Sequence, residues 1–186
     1  VSASAIPCPV NKELPRELTT QEVYEVIEKF GDAALRAKQA GFDGVEIHGA
    51  HGYLVAQFMS PYVNRRRDEF GGDIYGRARF GCDIIRNIKQ KCGADFPVIF
   101  RISGEERVES GRTLEETVIQ AKLLEQAGAD AIHVSTGVYN SMPYMVAPYN
   151  LPNGFNLPAA AAVKKAVNIP VIAVGRINDP YMAEEV

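Results

Sequence analysis

The feature that most constrains this chain is an alternation of short, nearly continuous apolar runs with longer stretches of helical period. The apolar runs fall at residues 44–48, 97–103, 131–136 and 170–177, and the helical stretches between them at 77–91, 113–127 and 157–167. A further helix precedes the first run. Thr19 and Glu22 have the spacing of a capping box, and Val23, Val26, Ile27, Phe30, Ala34 and Ala37 recur at three and four residues along one face. Strands covered on both faces lose the two-residue alternation of a half-exposed strand. Four such runs separated by helices therefore predict a parallel sheet sheathed by helices, the α/β class.

The two ends of that sheet differ. Gln39-Ala40-Gly41-Phe42-Asp43 before one run is echoed by Gln126-Ala127-Gly128-Ala129-Asp130 before another, so these helix-to-strand joints are short and alike. The strand-to-helix joints at 49–75 and 137–156 are long, polar and rich in aromatics. One rim built for stability and one for function is the division of labour of a (β/α)8 TIM barrel. A doubly wound open sheet shares the alternation and is the alternative. Four strands against the eight of a closed barrel lead us to expect part of a barrel, one partial domain over 1–186. Residues 1–18, with Pro7, Pro9 and Pro15, form a loop leading into the first helix.

Composition excludes several functions. A formal charge of −3 gives no basic excess to attract a phosphate backbone, so nucleic acid is not an expected partner. Arg65, Arg66 and Arg67 are followed at once by Asp68 and Glu69, the pattern of a paired, solvated loop. Cys8, Cys82 and Cys92 are odd in number and lack CxxC spacing, which fits a reducing, cytoplasmic setting with Cys82 and Cys92 packed as small apolar groups. No apolar run approaches the roughly 20 residues that cross a bilayer, so no membrane partner is expected.

The residues suited to chemistry gather after the first run. His48 ends it on the opposite side from Val45 and Ile47; His51 and Tyr53 follow within five residues, where Gly49 and Gly52 let the chain turn. Alone, His48 reads as a hydrogen-bonded core histidine and Tyr53 as a packing residue, but with His51 they place two imidazoles and a phenol in one small volume. Zinc is a competing reading of the histidines, weakened by the absence of nearby cysteines, and no metal is expected. Arg101 ends an otherwise apolar run and needs an anionic or carbonyl partner, a barrel carboxylate being the structural option. Gly175-Arg176 closes the last run ahead of a helix near Asp179-Pro180, where backbone N–H groups make an anion site. The loop 104–111 reads as a solvated flap. Tyr139, Tyr144 and Tyr149 could wall a pocket or pack on themselves, and His133 reads as structural.

Taken as a whole, His48-Gly49-Ala50-His51-Gly52-Tyr53-Leu54, Gln57-Phe58, Ser60-Pro61, Asn64, Arg66, Asp68, Phe70-Gly71-Gly72 and Arg77-Ala78-Arg79-Phe80 resemble the old yellow enzyme family of NAD(P)H:flavin oxidoreductases. The resemblance extends over Phe100-Arg101-Ile102-Ser103 and Val174-Gly175-Arg176. It implies a barrel holding FMN, reduced by NADH or NADPH, that reduces the C=C bond of an α,β-unsaturated carbonyl or enoyl compound, a small-molecule partner. By position, His48 and His51 would bind the substrate carbonyl and Tyr53 would donate the proton. Arg101 would meet the flavin, and Gly175 and Arg176 its phosphate.

The loop Phe70-Gly71-Gly72-Asp73-Ile74-Tyr75-Gly76-Arg77 is closer to the larger enoate and dienoyl-CoA reductase branch. That branch adds an iron-sulfur cluster and an FAD domain, which the resemblance implies for a longer parent protein. Self-association stays open. A barrel lyase or isomerase using the Gly175-Arg176 site for a phosphorylated substrate, a non-catalytic scaffold, and a piece that holds no flavin are the rival expectations.

Overall fold

Helix α1 (Thr20–Gln39) starts where the capping box places it. Thr19 Oγ accepts from the Glu22 N–H at 3.2 Å and the Glu22 carboxylate accepts from the Thr19 N–H at 2.8 Å. The computed structural model describes residues 1–186. After α1 come β1 (Val45–Gly49), α2 (Leu54–Met59), α3 (Ile74–Cys92), β2 (Val98–Ser103), α4 (Leu114–Gln126) and β3 (Ala131–Ser135). A 3-10 turn (Tyr139–Ser141), α5 (Met142–Met145), α6 (Leu157–Lys164), β4 (Val171–Ala173) and α7 (Pro180–Glu185) complete the chain.

The repeated Gln-Ala-Gly-X-Asp sequence encodes one helix cap used twice. Gly41 and Gly128 sit at φ 91 and 105, a region open to glycine at little cost. The N–H of the next residue reaches back to the helix, Phe42 to Ala37 O and Ala129 to Leu124 O, both at 3.1 Å, which is the Schellman arrangement. At the second copy Asp130 then accepts from the Val98 N–H and from Lys89 Nζ, each at 2.7 Å, fixing the start of the adjacent strand.

The four strands are all parallel and lie in the order β1-β2-β3-β4. A doubly wound sheet reverses its strand order partway, whereas this sheet adds each strand on the same side, as a barrel wall does. The core lies between sheet and helices. Phe58, Phe70, Phe80, Phe100, Ile84, Ile85, Ile102, Leu124 and Ile132 are fully buried there. Cys82 and Cys92 are part of it, and burial pushes the Cys82 thiol up to about 11. The other face of the sheet carries Glu46, His48, Ile99, Arg101 and His133. His48 is in register with Arg101, and Arg101 with His133.

Four expectations change. The joint at 49–75 contains α2, whose run Leu54-Val55-Ala56-Gln57-Phe58-Met59 is too uniformly apolar to show a helical period. Strand β4 covers three residues because Gly175 and Arg176, at φ 136 and 54, leave the extended region. Arg66 pairs with Asp68 as the sequence suggests, but it is buried. Its guanidinium also donates to the carbonyls of Ala3 and Leu18, pinning residues 1–18 to the loop after β1. The loop 104–111 is tethered, because Glu106 is 1% exposed and accepts from Ser60 Oγ and from the Arg112 N–H at 2.7 and 2.9 Å.

Candidate active site

Strand β1 delivers His48 to the rim, and the chain then turns back through His51 and Gly52, both left-handed at φ 62 and 79. A non-glycine residue there carries strain of about 1–2 kcal/mol, so surrounding bonds must hold it. They do. The His51 N–H donates to Ser103 Oγ at 3.0 Å, Ser103 Oγ donates to Gly137 O at 3.0 Å, and His51 forms a parallel bridge with Val138. Tyr53 follows as the residue that opens α2, its side chain free of any capping bond.

The three predicted residues meet. His48 and His51 rings stand edge to face at 5.2 Å, and His48 and Tyr53 at 5.0 Å. The Ala50 N–H donates to His48 Nδ1 at 3.3 Å, so the neutral ring carries its proton on Nε2. His51 Nε2 lies 2.5 Å from Ser135 Oγ, which also accepts from Arg101 Nη2 at 3.3 Å. With the hydroxyl hydrogen turned to His51 Nε2, the His51 proton sits on Nδ1. Each ring thus keeps one N–H for a ligand.

Burial, then the Arg101 charge, lowers both histidine pKa values, that of His51 to about 4. A depressed histidine pKa means that the unfolded chain binds the proton more readily. The stability gained by keeping His51 neutral is therefore complete above about 6.5 and drains away as pH falls toward 4. NMR titration of the His51 ring should find it neutral at pH 6; a midpoint near 6.5 would contradict the burial argument.

Arg101 finds no carboxylate. Glu46 instead pairs with His133 Nδ1 at 3.0 Å, spanning β2. Arg101 Nε is buried without a partner, an orphaned donor at the rim beside the two imidazoles. An electron-rich carbonyl or ring nitrogen fits it, so the residues present suit the edge of a flavin.

Gly175 and Arg176 lie apart from this group, at the end of β4. Arg176 donates to Pro148 O at 3.1 Å and Asn153 Oδ1 at 3.3 Å, leaving its Nε buried and unpaired. Asn156 joins the two regions by donating to Val134 O, Ser135 O and Val174 O.

Ser103, Ser135 and Asn156 are the site residues that the sequence did not mark as such, whereas Tyr139 was open between a pocket wall and packing on its neighbours. The signal for the serines was a polar residue at the same last register position of two apolar strands, Ser103 opposite Ser135. Tyr53 and Tyr139 also border a cavity of about 210 Å³ with Ile6, Cys8, Leu54 and Val138 on its walls. No group of three or more His, Cys, Asp or Glu side chains is arranged to hold a metal ion, and no helix is long and apolar enough to cross a membrane.

The chain is similar to several known proteins. The chain is 52% identical over 186 residues to an NADH oxidase of Thermoanaerobacter brockii, covering 100% of this chain and 29% of that protein. It is 42% identical over 185 residues to a cinnamate reductase of Clostridium sporogenes, covering 91% of this chain and 28% of that protein. Its structure matches 2-naphthoyl-CoA reductase in complex with 2-naphthoyl-CoA at a TM-score of 0.93 and 34% identity, covering 100% of this chain and 28% of that one. The chain therefore spans less than a third of the length of these relatives. The family model described as NADH:flavin oxidoreductase / NADH oxidase matches residues 2–186, and the chain belongs to that family.

Proposed function

We propose that this chain carries the substrate-facing half of a flavin reductase site that reduces the C=C bond of an α,β-unsaturated carbonyl or enoyl compound. The observation that carries the reading is the convergence of three protic groups on one rim, His48, His51 and Tyr53, beside the orphaned Nε of Arg101. When bound, FMN would supply hydride to the β-carbon, replenished from NADH or NADPH. His48 Nε2–H and His51 Nδ1–H would hold the substrate carbonyl oxygen and stabilise the negative charge that develops there. Their low pKa values keep both rings neutral, so they act as hydrogen-bond donors while Tyr53 gives the proton to the α-carbon.

Arg101 would meet the flavin edge, while Gly175 and Arg176 would stand toward its phosphate. The lyase or isomerase alternative rests on that last pair alone and leaves the convergence of His48, His51 and Tyr53 without a role. Cinnamate and 2-naphthoyl-CoA, named for two of the relatives, both carry a carbonyl conjugated to an unsaturated system, which supports the substrate class. Any iron-sulfur cluster or FAD would belong to parts of a longer protein.

Anaerobic stopped-flow spectroscopy of the full-length protein tests the reading. NADH or NADPH should bleach a bound flavin, and cinnamate or an enone should restore the colour with formation of the saturated product. Recovery with oxygen but with no unsaturated compound would show an oxidase instead.

A further inference from the structure

We propose that Tyr139 is a positioning residue for Tyr53: its phenol O–H donates to the Tyr53 oxygen, steadies the charge left there after proton transfer, and returns a proton to it. The inference rests on the proton-donor role read for Tyr53 above.

Tyr53 is 42% exposed, and a phenol so open would turn freely without a second support. Its ring lies between two others, His48 at 5.0 Å and Tyr139 at 5.7 Å, and its hydroxyl bonds to one side chain, the Tyr139 hydroxyl at 3.2 Å. The direction of that bond follows from the chemistry. A Tyr53 proton aimed at substrate leaves only lone pairs for Tyr139, so Tyr139 donates.

Tyr139 is itself held from below. The Gly137 N–H donates to Glu105 O at 2.8 Å, the Val138 N–H to Ser141 Oγ at 2.9 Å, and Ser141 Oγ to Glu106 O at 2.6 Å. The loop after β2 thereby sets the position of a phenol that acts on the loop after β1.

The proton balance is complete. Bound reduced FMN would supply the hydride to the β-carbon, giving up two electrons and leaving an enolate for Tyr53 to protonate. The Tyr53 O–H bond breaks, the enolate electron pair forms the new C–H bond at the α-carbon, and phenolate remains on Tyr53. Tyr139 transfers its proton to that oxygen and takes another from water at its half-exposed edge.

Full-length protein with flavin bound, reduced anaerobically by NADH, would be mixed with 2-cyclohexenone and, in parallel, with benzoquinone, which accepts electrons without protonation at carbon. Tyr139→Phe keeps the ring and removes only the O–H. The enone rate should fall about tenfold, the effect of losing one hydrogen bond to a charged oxygen, while the quinone rate and the apparent enone affinity stay the same. In a Tyr53→Phe background, Tyr139→Phe should cost nothing further, because the oxygen it serves is gone. An unchanged enone rate, equal losses with both acceptors, or losses that multiply in the double variant would each overturn the proposal. Wild-type protein that is oxidised by the quinone and never by the enone would overturn the underlying reading of function, and this inference with it.

Discussion

Tyr53→Phe in the full-length protein is expected to lower the rate of enone reduction by about two to four orders of magnitude, the usual contribution of a positioned general acid. Bleaching of the flavin by NADH or NADPH should be untouched. The substitution is a clean one. The ring keeps its edge contact with His48, and α2 loses nothing at its start because the Tyr53 side chain makes no capping bond. What is removed is the hydroxyl, with its proton and the bond it accepts from Tyr139. The loss should fall on kcat with KM little changed, since the interaction exists in the transition state and not in the bound substrate. Single-turnover measurement after anaerobic reduction separates the two half-reactions. A loss under tenfold would assign the proton to solvent.

The second large effect concerns stability. Arg112 is 2% exposed and its guanidinium has no carboxylate within salt-bridge distance, although Glu106 contributes a favourable charge. It donates instead to Thr117 Oγ1 at 3.1 Å, Gln120 Oε1 at 3.2 Å and Ser103 O at 2.7 Å. Arg112→Ala would leave these acceptors and the Glu106 charge uncompensated in a void. The expected cost is about 3–5 kcal/mol, read as a lower urea midpoint at unchanged slope. A change below about 1 kcal/mol would mean that water fills the space and satisfies the acceptors. Because Ser103 also fixes the His51 N–H, variants that still fold should show weaker binding of carbonyl ligands.

The α/β class, the parallel order and the His48, His51 and Tyr53 cluster were legible in the sequence because each rests on local spacing. Capping at Thr19, the twin caps at Gly41 and Gly128 and the strand-end position of His48 all follow from residues within a few positions of one another. The supports of the site were not legible, because they come from distant parts of the chain. Ser135 reaches His51 from 84 residues away, and Tyr139 reaches Tyr53 from 86. The charged loop 104–111 looked solvated because its sequence does not show that Ser60 and the Arg112 backbone will enclose Glu106. Helix α2 was hidden for another reason. Five of its six side chains are apolar, so no polar face remains to mark a period.

The segment after β3 is fastened at both ends, at Gly137 through Glu105 and at Asn156 through the strand-end carbonyls, while most residues from Asn140 to Asn153 are half-buried or exposed. With Ser141 kept for its bond to Glu106 O and Asn153 and Pro148 kept for Arg176, the stretch between them is expected to accept substitution without shifting the rim that seats it, in the manner of an interchangeable cassette. Grafting the corresponding interior from a relative that prefers a different acyl group is then a route to transplant selectivity, with His48, His51 and Tyr53 left where they stand.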